Sequence, residues 1–346
     1  MKYVKTMILA LLAALLEPLR AYFENVFVLS LTGRDVHIDG PLSNIAVEAF
    51  QQGDFVAERL FPTVSVGKQS DGYFVIDKAA WLRLPRTTLR APKTAPARVE
   101  FTVSTDTYFC HNYALAGENP FEVLANADNP IQLRQRTTRF VMDMLMRDRE
   151  RRLALKVTSI SNLGSGVALT GGNKWSAYST SDPIADITTG HAFIRGQTGL
   201  IANTLLLDWD TNQIVRRHPM LLDMYKYTQG GLLNDAELRE VFKVSQIIVA
   251  NGIFNNFIEN AAGTMSITNI WGNVALLAHI APPNGQQTQT FGLNFQWQAP
   301  ELPAAFGVSV YNDPDPGKKT ELTEVGYYAD EKIVAQQLSY IVKDTL

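Results

Sequence analysis

The chain has 346 residues, of which 46% are hydrophobic and 19% charged, and this balance excludes an intrinsically disordered protein. Its length suffices for two lobes with sizeable cores. The net charge of −3 argues against a strong nucleic-acid binder, which needs clustered cations to displace counterions. The single cysteine, Cys110, excludes an intrachain disulfide and any zinc site built from cysteine clusters.

The N-terminus carries an apolar run that imitates a secretory signal. Lys2 and Lys5 precede Met7–Leu16, a run too short to span a bilayer. The pattern continues past Pro18 without an obvious small-residue cleavage site. We favour a hydrophobic helix that packs on its own or a neighbouring subunit. A cleaved signal peptide and a helix on a membrane surface are the alternatives.

A long β-hairpin with a basic, proline-rich tip is predicted next. Gly72–Ile76 carries a strand signal, and Arg98–Val103 alternates apolar and polar residues. Pro85, Pro92 and Pro96 lie between these strands and prevent regular pairing at the tip. Long loops of this kind are usually functional or disordered, so we expect the tip to dock on a neighbouring subunit or to be a solvated excursion.

The strongest helix signal covers residues 130–156. Pro130 suits the first turn, with Asp128 or Asn129 as the cap. One apolar stripe is predicted along the helix, formed by Phe140, Val141, Met144 and Leu145. The other faces are mainly basic, which is typical of a solvated scaffold helix. A face turned to acidic neighbours or to packaged DNA is the alternative.

An α/β unit is predicted after a loop rich in Gly and Ser at 160–180. Helices should begin at Asp182-Pro183, at Asp210 or Thr211, and at Asn234, where Glu237 completes a capping box. Buried strands are predicted at Leu205–Leu207, Ile247–Val249 and Val274–Leu277. From Thr290 the chain is β-rich again, with strand signals through Glu324–Val342.

The histidines and the paired aspartates do not predict a metal site. The five histidines are scattered, without the spacing of a metal-binding pair. Asp208 and Asp210 are better explained by a strand end and a helix cap, and Asp313 and Asp315 by a turn. We therefore predict no metal.

Three further patterns fail as catalytic or phosphate-binding motifs. Gly166–Lys174 lacks the Gly-Lys-Ser/Thr ending of a phosphate loop. Ser309 lacks the second glycine of a nucleophile elbow. Cys110 and His111 are adjacent, so on a strand they would point to opposite faces. We predict no catalytic residue and no cofactor.

The order of these elements resembles that of tailed-bacteriophage major capsid proteins of the Hong Kong 97 type. Three phrases look familiar for such proteins: AFQQGDFVAERLFPTVSV, DPIADITTG and IVRRHPMLLDMYKY. The resemblance covers roughly residues 40–346 and includes no short diagnostic signature. It implies an α+β fold with an N-terminal arm, an extended β-hairpin called the E-loop, a long spine helix in a peripheral domain, and an α/β axial domain.

The resemblance also implies boundaries along the chain. The N-terminal helix and arm would be 1–66, the E-loop 67–112, the peripheral domain with the spine helix 113–159, the axial domain 160–286, and the return strands of the peripheral domain 287–346. Some relatives crosslink subunits through a Lys–Asn bond, and Lys78 or Lys93 lies in the right loop. No acceptor is identified, so crosslinking is not predicted.

By this resemblance the chain is a structural protein and not an enzyme. It would self-assemble into pentamers and hexamers of an icosahedral shell that encloses a double-stranded DNA phage genome, which it contacts non-specifically. Scaffolding, portal and cement proteins are the other expected partners, and a membrane is not. The protein would be assembled in the host cytoplasm and found in the virion. The candidate intersubunit contacts are Arg83, Arg86, Arg90, Lys93, Arg98, Arg147, Arg151, Arg152, Tyr225 and Tyr227.

Three other functions remain open at this point. An encapsulin-type shell protein would share the fold and enclose protein cargo instead of a genome. A secreted α/β ligand-binding protein would use the N-terminal run as a signal and remain a soluble monomer. A hydrolase is the third alternative, against which the failed motifs argue.

Overall fold

The structure is a computed structural model. It describes residues 37–38, 55–76, 82–85, 88–90, 92–100, 103–126, 130–225, 233–256, 266–281, 289–299, 306–315 and 317–346. Several predictions lie outside the described residues: the apolar N-terminal run, the caps Asp128 and Asn129, Lys78, Arg86 and Tyr227.

The described chain contains both helices and strands. The helices are α1 (Ala57–Leu60), α2 (Phe121–Asn126), α3 (Pro130–Val157), α4 (Pro183–Thr198), α5 (Trp209–Arg217), α6 (Pro219–Tyr225) and α7 (Asp235–Phe242), with 3-10 turns at Ile160–Asn162, Gly171–Asn173 and Gln336–Leu338. The strands are β1 (His37–Ile38), β2 (Thr63–Val66), β3 (Ser70–Ile76), β4 (Val103–Phe109), β5 (His111–Pro120), β6 (Ser165–Ala168), β7 (Thr204–Asp208), β8 (Gln246–Ala250), β9 (Ile253–Asn255), β10 (Ile267–Asn269), β11 (Val274–Ala278), β12 (Gly292–Trp297), β13 (Gly307–Asn312), β14 (Thr320–Ile333) and β15 (Ser339–Lys343).

Among the described residues, the first sheet has six strands and is built around the long strand β14. β14 pairs antiparallel with β13, β12 and β5. β1 pairs antiparallel with β13, and β2 pairs parallel with β12. Val325, Tyr327 and Ala329 alternate along β14 and are buried in one cluster with side chains of α3. The long helix therefore lies on this sheet.

The second sheet, as far as the chain is described, has five strands in the order β6-β15-β11-β7-β8. Every residue of β7 and β11 is buried, as expected for strands covered on both faces. The predictions of buried strands at Leu205–Leu207 and Val274–Leu277 are thus confirmed, and Ile247–Val249 lies in the edge strand β8. Helix α4 packs on this sheet so closely that Gly190 faces Leu277 and Tyr340.

The last strand of the predicted return segment 287–346 does not pair with the others. Ser339–Lys343 lies in the second sheet between β11 and β6, whereas β12, β13 and β14 belong to the first sheet. The 3-10 turn at Gln336–Leu338 redirects the chain, and Tyr340, Ile341 and Val342 are then buried in the core of the second sheet. Burial of this apolar segment decides where it pairs.

The spine helix is confirmed as α3, but its apolar stripe is partly wrong. Val141 and Leu145 are buried together with Met142 and Met146. Phe140 and Met144 are instead 63% and 43% exposed. The sheet contacts the helix on the side where positions 141, 142, 145 and 146 meet, one residue further along than predicted.

The hairpin is confirmed, with a different second strand. β3 pairs antiparallel with β4, from Ser70↔Phe109 to Ile76↔Val103. Of the predicted strand Arg98–Val103, Val103 begins β4, while residues 98–100 lie outside the strand and Val99 is 79% exposed. The backbone N–H of Cys110 donates to the carbonyl of Gln69 at 2.9 Å, which fixes the register at the base of the hairpin.

The helix starts follow local capping rules. Asp182 accepts a hydrogen bond from the Ala185 N–H, and the capping box of Asn234 and Glu237 is present, as predicted. The cap of α5 is different: Asp208, and not Asp210 or Thr211, accepts the N–H of Asp210 at 3.2 Å. Strand β7 therefore ends directly in the cap of the next helix.

Candidate interaction surfaces

The tip of the β3–β4 hairpin is solvent-exposed throughout its described residues. Leu84 and Leu89 are 88% and 89% exposed, well above the usual exposure of a large apolar side chain. The candidate contact residues Arg83, Arg90, Lys93 and Arg98 are all exposed here. Within the described part of the chain, the tip thus presents leucines and cations together at the surface.

The base of the hairpin is firmly packed on the first sheet. The Tyr108 ring stacks on Phe295 with centroids 4.7 Å apart, and the Tyr73 ring lies 5.4 Å from the same residue. Cys110 is fully buried beside them and donates to the carbonyl of Phe295 at 3.4 Å. Burial raises the pKa of the Cys110 thiol to about 11, so it is protonated and unreactive at neutral pH.

Polar contacts hold the other side of this base. The Tyr73 hydroxyl donates to Asp106 at 2.6 Å, and Lys332 lies 2.9 Å from the same carboxylate. Hydrogen bonds from Tyr73 and Lys332 lower the pKa of Asp106. The Phe109 N–H donates to Asp330 at 3.1 Å. The hairpin is therefore fixed at its base and exposed at its tip.

A second exposed apolar surface follows one side of α3. Phe140, Met144 and Leu155 are 63%, 43% and 64% exposed and recur at helical spacing. Leu115 of β5 is 40% exposed and lies on the same side of the sheet, because Gly117 beside it faces α3. We call Leu115, Phe140, Met144 and Leu155 the spine surface.

The spine surface borders an open strand edge. Within the part of the chain that the structure describes, β5 pairs with β14 and with no other strand. Its ten residues include one charged side chain, Glu118, so little on the strand itself discourages a further strand from pairing. The candidate residues Arg147 and Arg151 lie on the neighbouring helix face, where Arg147 pairs with Asp143 at 2.6 Å.

Arg152 differs from the other arginines in this set. Its guanidinium lies 3.6 Å from the centre of the Tyr113 ring, donates to the Tyr327 hydroxyl at 2.9 Å and contacts Glu331 at 3.2 Å. These contacts arise because position 152 faces β5 and β14. The structure thus places this candidate contact inside its own subunit.

Arg149 and Glu150 are two adjacent, buried ionisable residues of α3. Glu150 is fully buried and accepts hydrogen bonds from the N–H groups of Val56 and Ala57 and from the Trp271 indole at 2.5 Å. Burial raises the pKa of Glu150, and these donors counteract it. One carboxylate thereby joins the spine helix to two remote segments. No sequence pattern predicted this role, although position 150 continues the buried helical spacing of 146, 153 and 157.

The end of helix α6 carries the remaining candidate. Tyr225 is the last residue of α6, and Met220 and Met224 of the same helix are 40% and 60% exposed. At the start of this helix His218 is fully buried, with its Nε2 3.0 Å from the Ser181 hydroxyl. Burial lowers the pKa of His218, so the ring is neutral at pH 7. This histidine is structural.

The described residues contain no arrangement that suggests a metal centre or a membrane span. No group of three His, Cys, Asp or Glu side chains among them could hold a metal ion. The described helices include none with the length and apolar character needed to cross a bilayer. His191 and His279 each contact a backbone carbonyl, of Phe242 at 2.9 Å and of Ile201 at 2.8 Å.

Comparisons with known proteins find similarity to phage capsid proteins. No family model matches the chain. It is 27% identical over 267 residues to the major capsid protein of Pseudomonas phage JBD67, covering 75% of this chain and 83% of that protein. It is 25% identical over 257 residues to the major capsid protein of Burkholderia phage BcepMu, covering 73% of this chain and 80% of the relative.

Solved structures agree on the fold. A phage-related protein from Bordetella bronchiseptica superposes with a TM-score of 0.69 and 22% identity, over 90% of this chain and 98% of that one. The mature capsid of bacteriophage PhiM1 gives 0.52 and 9% identity, over 83% and 86%. An encapsulin from Synechococcus elongatus gives 0.51 and 13% identity, over 82% and 85%.

Proposed function

We infer that this chain is a phage major capsid protein, and it has the α+β capsid fold of the Hong Kong 97 type. Two phage capsid proteins match it over about three quarters of its length. The structural observation that carries the function is the pair of exposed surfaces on one subunit: the hairpin tip and the spine surface. Each is the kind of apolar area that a soluble monomer normally covers.

We propose that the hairpin of one subunit lies on the spine surface of the next. The two surfaces are different and lie on the same chain, so their contact is head-to-tail. A head-to-tail contact that closes on itself generates rings, here the proposed pentamers and hexamers. Leu84 and Leu89 would then cover apolar side chains of α3, as burial of each large side chain favours association by about 1.5–3 kcal/mol.

The charged candidate residues would each contribute little free energy to this contact. Arg83, Arg90, Lys93 and Arg98 are exposed at the tip, and an exposed ion pair contributes roughly 0–1 kcal/mol. Glu118 and Glu122 are exposed carboxylates at one end of the open strand β5. Many weak contacts of this kind would let a wrongly placed subunit leave while the closed shell remains stable.

We further propose the finer points of this role. The chain is not an enzyme, is assembled in the host cytoplasm, and works with scaffolding, portal and cement proteins around a double-stranded DNA genome contacted non-specifically. The division into arm, E-loop, peripheral and axial domains is also a proposal, in which Ser339–Lys343 belongs to the axial domain together with the rest of the second sheet. The curated relatives favour a phage shell over an encapsulin-type compartment.

The first test is assembly of the full-length protein, followed by light scattering and negative-stain electron microscopy. We expect shells, tubes, or five- and six-membered rings, and nucleic acid inside particles taken from phage-infected cells. A monodisperse monomer that stays monomeric when co-expressed with the scaffolding protein of its own phage would overturn the proposal. Particles filled with protein cargo would instead identify an encapsulin-type shell.

A second test separates docking from folding. Deletion of Leu84–Pro96 should leave a folded subunit that forms no closed shell, because the base contacts around Phe295 remain. Leu84→Ser with Leu89→Ser should have the same effect in a milder form. Ile201→Ser, at a residue 55% exposed away from both surfaces, is the matched control and should assemble normally. Normal particles from the deletion would refute the docking role.

A further inference from the structure

The outer edge of β5 carries main-chain groups that point away from β14. The Phe121 N–H donates to the carbonyl of Lys319 at 3.1 Å, one step beyond the last pair of the ladder, Thr320↔Pro120. Because hydrogen-bonded pairs alternate along an antiparallel ladder, the odd-numbered residues of β5 bond to β14. The even-numbered residues direct their main-chain groups to the open side, and they are Asn112, Ala114, Ala116, Glu118 and Pro120.

This edge is suited to accepting a further strand. All five of these residues are exposed, and Glu118 is the only one with a charged side chain. Pro120 loses no ladder hydrogen bond, because its nitrogen faces the open side. Natural sheets usually protect an edge of this length with charges, bulges or covering chain. The open edge of β5 therefore offers four N–H donors and a row of carbonyls to an extended main chain.

An extended segment of the hairpin has the sequence of a strand but pairs with none. Residues 95–100 lie in no helix or strand of the described chain, and all of them are exposed. Ala97 and Val99 alternate with Arg98 and Glu100, as in a strand. The sequence predicts a strand over Arg98–Val103, whereas β4 begins only at Val103. The strand pattern of residues 96–100 is thus not used within the described subunit.

We propose that residues 96–100 of one subunit add as a strand to the open edge of β5 in the next subunit. This rests on the proposed docking of the hairpin on the spine surface, which borders the same edge. Strand addition supplies main-chain hydrogen bonds, which contact through exposed leucines does not. The charges also match, since the hairpin tip is basic and the exposed carboxylates Glu118 and Glu122 lie at one end of the edge.

Pro96 determines which side of the added strand bonds to β5. A strand pairs with one neighbour through alternate residues, whose N–H and C=O groups point to the same side. A proline has no N–H, so its side of the strand is the one that stays unpaired. Arg98 and Glu100 share that outer side with Pro96. Ala97 and Val99 therefore bond to β5.

Two proline substitutions in the full-length protein test this assignment. Val99→Pro removes an N–H that bonds to β5, so the protein concentration needed for shell assembly should rise by about tenfold or more. Arg98→Pro removes an N–H on the outer side and should assemble like Arg98→Ala, the control for the lost charge. Val99→Ala is the control for the lost side chain. The melting temperature of the free subunit should stay unchanged in all four, because these residues are exposed.

The acceptor edge is tested from the other side by Ala116→Pro. Its nitrogen faces the open side, so the ladder with β14 remains while strand addition is blocked. Ala116→Pro should raise the concentration for assembly as Val99→Pro does, and the double variant should be no worse than either one. In wild-type shells, the Ala114 and Ala116 amides should exchange hydrogen more slowly than in free subunits.

Equal assembly of Val99→Pro and Arg98→Pro, whether normal or impaired, would overturn the strand addition. A loss of assembly in Ala116→Pro alone would show that another strand, such as β5 of a second copy, binds the edge, and would overturn it too. In both cases the wild type still forms shells and the proposed function stands. A wild-type protein that forms no shell with its scaffolding protein would contradict the proposed function and the strand addition together.

Discussion

Single residues that hold distant segments together were the hardest to predict. The caps Asp182 and Asn234 were found because their partners lie within three residues. Glu150 binds groups 94 and 121 residues away, at Val56 and Trp271, and no local pattern indicates such partners. Its burial with three donors is favourable only because the fold brings them to one point.

At the same scale, Gly190 is required by close packing. A Cβ at this position would lie 2.6 Å from Leu277 and 2.7 Å from Tyr340, so Gly190→Ala should lower the free energy of unfolding by about 1–3 kcal/mol. Gly196 lies on the same helix with nothing within 4 Å, and Gly196→Ala should raise it by about 0.5–1 kcal/mol. Urea unfolding followed by circular dichroism measures both. Equal effects would refute the packing argument.

For helices and strands, the presence of an element is easier to predict than the face that it buries or the strand with which it pairs. The long helix was predicted within two residues of α3, because its start signal and periodicity are local. Its buried face was misplaced, since four apolar residues at 140, 141, 144 and 145 fit two adjacent stripes about equally well. The contact with β14 decides between them. The second hairpin strand was misplaced for the same reason, as pairing with β3 and not alternation sets the register.

The corrected stripe predicts opposite results for neighbouring positions of α3. Leu145 is 2% exposed, so Leu145→Ala should reduce the free energy of unfolding by about 2–5 kcal/mol. Phe140 is 63% exposed, and Phe140→Ala should change it by less than about 0.5 kcal/mol. Chemical denaturation of disassembled subunits gives both values. A large loss of unfolding free energy in Phe140→Ala would instead support the stripe that the sequence predicts.

For the whole molecule, the order of elements was predicted better than the pairing of distant strands. Ser339–Lys343 is an apolar strand that fits either sheet by composition, and only the turn before it and the space between β6 and β11 assign it to the second. The exposed surfaces were predicted in part. The basic tip was visible in the sequence, while the spine surface required the helix orientation.

Limited proteolysis should distinguish free from assembled molecules. Trypsin should cut the free subunit first after Arg83, Arg90, Lys93 or Arg98, because these sites are exposed and lie outside regular structure. Arg152 and Lys156 lie in a packed helix and should resist. In assembled particles the tip sites should be protected if the hairpin docks on a neighbour. Equal cleavage in both forms would argue against that docking, and mass spectrometry identifies the sites.

The fixed base of the hairpin has a mechanical consequence. Strand β3 is anchored at Tyr73 beside Phe295, so the part of the strand beyond it, residues 74–76, extends about 10 Å at about 3.4 Å per residue. A rotation of about 10° at that anchorage displaces the far end of the strand by about 2 Å, roughly the difference between good and poor side-chain packing. Slight adjustments around Tyr108 and Phe295 are thereby amplified like the movement of a lever. One sequence can in this way meet neighbours at the different inclinations that a curved surface requires.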